Sequence, residues 1–135
     1  MQVLDHVPDG FREVLSEGLR DYGLGHAGES GRTPLTVPLP DPATGQTVGG
    51  LVGRTIHGML VIELIYIPEH LRRQDWGTRL LDAATDEARR RGCTHAYLDT
   101  MNFQAPRFYT GLGWEEFGHV PGSPGITRIF FRKAL

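Results

Sequence analysis

The chain has 135 residues, enough for one compact domain with a sizeable core and too few for two of ordinary size. Hydrophobic residues make up 39%, and 14 basic against 16 acidic side chains leave a formal charge of −2, which argues against a protein whose main business is coating nucleic acid or an anionic membrane. The single cysteine, Cys93, excludes an intrachain disulfide and points to a reducing compartment. The N-terminus, MQVLDHVPDG, has no basic stretch followed by an apolar one, and Glu63 interrupts the longest apolar run, Met59 to Ile67. The expectation is a cytoplasmic protein, with residues 1–135 forming a single domain and neither nucleic acid nor membrane as partner.

In chain order, Asp9 reads as an N-cap before Phe11, Val14, Leu15, Leu19 and Tyr22, whose offsets predict an amphipathic helix over 10–22. A glycine-rich loop follows. Residues 33–40, TPLTVPLP, suit an edge strand, and 41–45 form a turn. Two strand-like runs, 46–55 and 58–67, flank a tight His57-Gly58 junction. The second run is nearly all apolar, the pattern of a central strand buried on both faces.

Residues 76–91 predict the clearest helix. Trp76, Leu80, Ala84 and Ala88 share one stripe with Leu81 beside it, and Asp86 and Glu87 precede Arg90 and Arg91 by four residues. Three arginines fill the last turn and Gly92 stands where a left-handed cap belongs. A strand over 93–99, a helix over 103–111 and strands near 113–119 and 126–133 complete the order α-β-β-β-α-β-α-β-β. A strand, a crossover helix and another strand imply a parallel pair inside a mixed α/β sheet. The final strand, within ITRIFFRKAL, offers an edge on which a homodimer could pair.

The loop between the central strand and the long helix, Glu69 to Thr78, is where open α/β sheets bind ligands. Its amides can converge at the helix N-terminus, and Arg72 and Arg73 add positive charge and forked donors, so a diphosphate is the natural guest. The plainer alternative is a solvated basic corner. Neither GxxxxGK[ST] nor GxGxxG is present.

The stretch Ile65 to Leu81 resembles the acetyl-CoA signature of the GNAT N-acetyltransferase superfamily, an Arg or Gln, two residues, Gly, one residue, then Gly or Ala. Here that pattern falls on Arg72, Asp75 and Gly77. A second block, Asn102 to Trp114, is similar to the family's other hallmark: Asn, Ala three later, an aromatic-Tyr pair and Gly-aromatic. The two blocks stand in the family's order, and the likeness covers most of the chain from residue 33 onward.

The resemblance implies acetyl transfer from acetyl-CoA to an amine, on a small-molecule or peptide acceptor. It puts the coenzyme against the backbone of Ile65 and Ile67, with the Ile67 amide as oxyanion donor. It adds the loop Arg72, Arg73, Gln74, Asp75, Trp76, Gly77 and Thr78, and contact with Asn102. It makes Tyr109 the acid that protonates the departing thiolate.

For the base, Glu63 is the one charge in its apolar strand and must be partnered, solvated or shifted in pKa. Alternation puts it on the face of Ile65 and Ile67; the alternative role is an ion pair with Arg54, and Asp99 is the other candidate base. Tyr22, Arg54 and His57 are candidates to face the acceptor. Cys93 reads as a small buried residue, and the six histidines lack ligand spacing, so no metal is expected. No residue is placed to carry an acyl group, so transfer would be direct, in a ternary complex. Asp75, standing where the family has glycine, motivates a second reading, a non-catalytic acyl-CoA-binding or sensing domain on the same fold. An acyl group other than acetyl is a third.

Overall fold

The computed structural model describes all residues, Met1–Leu135. The chain divides into two compact units, Met1–Gly31 and Arg32–Leu135.

The first unit is built on helix α1, Phe11–Ala27. It starts after left-handed Gly10 with no side-chain cap, so Asp9 is not its cap, and it runs five residues past the expected end. Glycine stops a helix only where it turns left-handed. Gly23 and Gly25 keep helical backbone, and the first glycine of that stretch with positive φ is Gly28, at 72°.

The second unit is a six-stranded mixed sheet with two helices. In chain order come β1 (Thr33–Pro40), β2 (Thr47–Ile56), β3 (Met59–Tyr66), α2 (Trp76–Arg90), β4 (His95–Met101), α3 (Pro106–Gly111), β5 (Glu115–Pro121) and β6 (Thr127–Ala134). The spatial order is β1-β2-β3-β4-β6-β5. Every pair is antiparallel except β3 and β4, the expected parallel pair across the α2 crossover. The element order and mixed α/β class match the sequence reading. β1 lies at an edge, where its prolines cost no ladder bond. β6 does not: it runs between β4 and β5, so its backbone is already paired on both sides and it offers no edge for a homodimer.

Helix α2 turns Gly77, Leu80, Leu81, Ala84 and Ala88 inward. They join Leu35, Leu51, Leu60, Ile62, Leu98, Trp114 and Phe131 in one core. Its end follows the capping logic: Gly92 has φ 84°, and the Cys93 amide donates to the Ala88 carbonyl at 2.9 Å. That cap delays β4 to His95 and leaves Cys93 buried. Glu87 pairs with Arg91 four residues on, as expected, but Asp86 takes Arg89 and Glu87 also takes Arg90.

α3 is shorter than the expected 103–111. Gln104 Oε1 accepts the Met101 amide at 3.0 Å, closing a turn, and left-handed Ala105 starts the helix only at Pro106. β3 is buried on both faces only through Leu60, Val61 and Ile62; Glu63, Leu64 and Tyr66 are exposed. Pairing with β4 ends at Val61, so no neighbouring strand covers the rest from that side.

Candidate coenzyme cleft and active site

That divergence makes the site. β3 and β4 pair at only three positions, Met59–His95, Leu60–Ala96 and Val61–Tyr97, and then part. Between them opens a cleft of about 1230 Å³, with Ile62 to Ile67 on one wall and Leu98 to Met101 on the other. The start of α2 and residues of α3 complete it. On its other edge β3 stays paired with β2, through Leu64–Val52, Ile65–Leu51 and Tyr66–Gly50. The edge facing the cleft has no strand partner, which leaves main-chain donors and acceptors for an extended, amide-bearing ligand.

At the carboxyl end of β3 the chain makes a 3-10 turn, Glu69–Leu71, and enters the arginine loop. Arg73 and Asp75 both hold left-handed backbone, with φ 59° and 64°. Asp tolerates this conformation better than most residues, so Asp75 adopts the glycine-like geometry while adding a carboxylate. Three bonds brace the loop. Arg72 Nε donates to the Ile67 carbonyl at 2.9 Å, Gln74 Nε2 donates to the His70 carbonyl at 3.1 Å, and His70 Nε2 lies 2.7 Å from Asp41 Oδ2.

Arg72, Arg73, Asp75, Trp76, Gly77 and Thr78 line the cleft beside the first turn of α2, whose amides and dipole favour an anion. Gln74 is not among the lining residues; its amide serves the loop itself. Gly77 is required by packing: a Cβ there would sit 2.8 Å from Phe108 Cζ and 3.2 Å from Ile67 Cδ1. Arg79 covers the Trp76 ring at 4.2 Å, and the Trp76 Nε1 is buried without a partner.

Glu63 sits at a β-bulge. The β2–β3 register jumps from Gly53–Ile62 to Val52–Leu64, so Glu63 is the extra residue. The bulge breaks the alternation on which Glu63 was expected to share the face of Ile65 and Ile67. Those two isoleucines pack on the core, whereas Glu63 is ion-paired with Arg54 and partly exposed. It still lines the cleft, and so does Asp99, which pairs with Arg128.

Tyr109 is 6% exposed, tilted against Phe131 at 5.5 Å and edge-on to Phe108 at 5.3 Å. Burial pushes its phenol above the ordinary value of 10.0. It therefore carries its proton at neutral pH.

Asn102 stands apart from the cleft wall. Its amide nitrogen donates to the Gly125 carbonyl at 2.9 Å and its oxygen accepts the Thr127 amide at 3.0 Å, so both ends clamp the β5–β6 connection. His57 holds the β2–β3 turn with φ 48°, and Tyr22 stacks on His26 within α1. Arg128 and Phe103, which line the cleft, escaped the sequence reading. Arg128 reaches the site only through the β4–β6 register, Met101 opposite Arg128, which no local motif encodes.

A parallel strand pair that splays beside a helix N-terminus, with an unpaired strand edge and an arginine loop, defines an α/β protein built for an extended ligand with an anionic portion. The family model described as Acetyltransferase (GNAT) family matches residues 3–114, and the chain belongs to that family. It is an acetyl-CoA-dependent N-acetyltransferase, and acetyl-CoA is its cosubstrate. An acetyltransferase of Agrobacterium fabrum is 39% identical over 133 residues, covering 97% of this chain and 96% of that one. The blasticidin-S acetyltransferase of Streptomyces morookaense is 34% identical over 93 residues, 67% of this chain and 68% of that one. A crystal structure of an acetyltransferase from Agrobacterium tumefaciens superposes with a TM-score of 0.91 at 33% identity, covering 100% of this chain and 98% of that one. No helix is long and apolar enough to cross a membrane.

Proposed function

We propose that this cleft transfers the acetyl group of acetyl-CoA to the amine of a small-molecule acceptor by direct attack in a ternary complex. The supporting observation is the divergence of β3 and β4 after three paired positions, which opens a strand edge directly beside the arginine loop. The cleft-facing backbone of Ile65 and the amide of Ile67, whose carbonyl Arg72 Nε already holds, suit the amides of the pantetheine arm, and Arg72, Arg73 and the amides of Asp75 to Thr78 suit the diphosphate. Asn102 and Gln74 contribute by bracing the elements that line the cleft. A small-molecule acceptor accords with the blasticidin-S acetyltransferase, whose match spans two thirds of each chain.

Acetyl-CoA supplies an activated thioester, so the protein has only proton traffic and positioning left to perform. Glu63 takes the proton of the attacking amine, its carboxylate oriented by Arg54. The Ile67 N–H donates to the carbonyl oxygen as charge gathers there. Tyr109, protonated at neutral pH, gives its hydroxyl proton to the departing sulfur.

The test is a thiol-release assay across a panel of amines, paired with calorimetric titration of acetyl-CoA. Tyr109→Phe and Glu63→Gln should each cut turnover about 10²–10⁴-fold while coenzyme affinity stays in place. Unchanged turnover in Tyr109→Phe removes the acid assignment. Unchanged turnover in Glu63→Gln moves the base to Asp99.

A further inference from the structure

Four charged side chains of the sheet stand at the cleft as two ion pairs, Glu63 with Arg54 and Asp99 with Arg128. Both pairs lie on the face of the sheet away from α2. On β4, Ala96, Leu98 and Thr100 are buried, and Leu98 belongs to the core that α2 closes, so Asp99 between them points to the opposite face. On β2, Arg54 alternates in the same way between buried Gly53 and Thr55. In the β4–β6 register Arg128 is opposite Met101, two residues on from Asp99, which sets it on the face of Asp99.

The two arginines are not equivalent. Arg54 is not part of the cleft lining, and its guanidinium bonds Glu63, so it stands behind that carboxylate. Arg128 lines the cleft itself. Asp99 takes its Nη1, and no other protein group bonds its guanidinium. A guanidinium carries five N–H donors in a planar fork, so Arg128 keeps an unspent donor edge whose direction Asp99 fixes. The proposed coenzyme site, at Arg72, Arg73 and the first turn of α2, does not use that edge.

Resting on the reading of this cleft as an acetyltransferase site, we propose that Arg128 anchors the acceptor: the acceptor amine belongs to a molecule that also carries a carboxylate, which the free edge of Arg128 grips while the amine meets Glu63. In a ternary complex the acceptor must reach the thioester from the side that the coenzyme leaves open. The two ion pairs stand on that side, across the sheet from the helix whose start suits the diphosphate. A carboxylate matches the guanidinium fork with two parallel N–H···O bonds, a recognition that a point charge does not supply. A polyamine fits less well. Both carboxylates on this face already hold an arginine, and four arginines against three carboxylates line the cleft. Asp99 then acts as a positioning residue that aims Arg128.

The experiment is a thiol-release assay on the full chain with β-alanine, γ-aminobutyrate and ε-aminocaproate, each beside its own carboxamide, which keeps the amine and removes the charge. For the best of the three acids, kcat/KM should exceed that of its carboxamide about tenfold or more, with the difference in KM. Arg128→Gln should bring that ratio close to unity with coenzyme affinity in place, and Arg128→Lys, which keeps the charge without the fork, should give an intermediate ratio. The ratio compares two acceptors on one protein sample, so a loss of folded protein does not move it. A carboxamide that serves as well as its acid in the wild type overturns the proposal, and so does a preference that survives Arg128→Gln. Weakened coenzyme binding in Arg128→Gln overturns it as well, by assigning the guanidinium to the coenzyme. Acetylation of other amines with none of the three acids accepted removes this assignment and leaves acetyl transfer standing. An absence of thiol release with every amine removes the acetyl-transfer reading itself, and this assignment with it.

Discussion

Asp41 shows how a residue outside the cleft bears on it. Its Oδ1 accepts the Ala43 amide at 2.8 Å in the β1–β2 turn, and its Oδ2 meets His70 at the entrance to the arginine loop. The hydrogen bond from His70, with the Ala43 amide second, lowers the Asp41 carboxyl below its ordinary 3.8. A depressed carboxylate contributes stability that is fully present above the unfolded-state value and is lost as pH falls through the folded one. Asp41→Asn should therefore melt lower than wild type at neutral pH, and the gap should close as pH drops below 3.8. Melting curves across that range check the sign; a gap that persists in acid would mean the carboxylate charge is not what holds the turn. Because Asp41 reaches the loop only through His70, the variant should weaken coenzyme binding at pH 7 and leave turnover at saturating coenzyme unchanged.

At the scale of elements, α2 starts close against its neighbours beside the arginine loop, and Gly77 sets that distance. Gly77→Ala places a methyl 2.8 Å from the Phe108 ring and 3.2 Å from Ile67, inside van der Waals contact on both sides. Overpacking of this kind costs about 1–3 kcal/mol, which urea unfolding would read directly. The same displacement moves the α2 amides, so coenzyme affinity should fall with stability.

Local chemistry made most elements legible: the α2 stripe and its glycine cap, the prolines of β1, the His57-Gly58 turn. What escaped lies in pairings between distant segments. The bulge at Glu63 depends on register with β2, and it turned a strand-periodicity argument about that residue's face into a wrong one. The position of β6 between β4 and β5 reverses chain order, so a terminal strand that looked free is enclosed. Asn102 was placed by motif on the coenzyme, yet the atoms it reaches belong to Gly125 and Thr127, more than twenty residues away.

At the scale of the molecule, the two halves of the sheet meet at one short seam. β1, β2, β3 and α2 lie on one side, β4, β5, β6 and α3 on the other, and the strands across the seam share three paired positions before they part. A ligand that pairs with the free edge of β3 while its anionic portion rests at the start of α2 therefore extends the sheet where it is weakest. Acetyl-CoA at a hundredfold excess over its dissociation constant should add about 2.7 kcal/mol to stability. Hydrogen exchange should locate that gain at the amides of Ile65 to Ile67 and of residues 75–78, with little change in β5, which lies at the far edge of the sheet. Protection spread evenly over all strands would point to a general tightening of the fold, and protection confined to β5 and β6 would place the coenzyme outside this cleft.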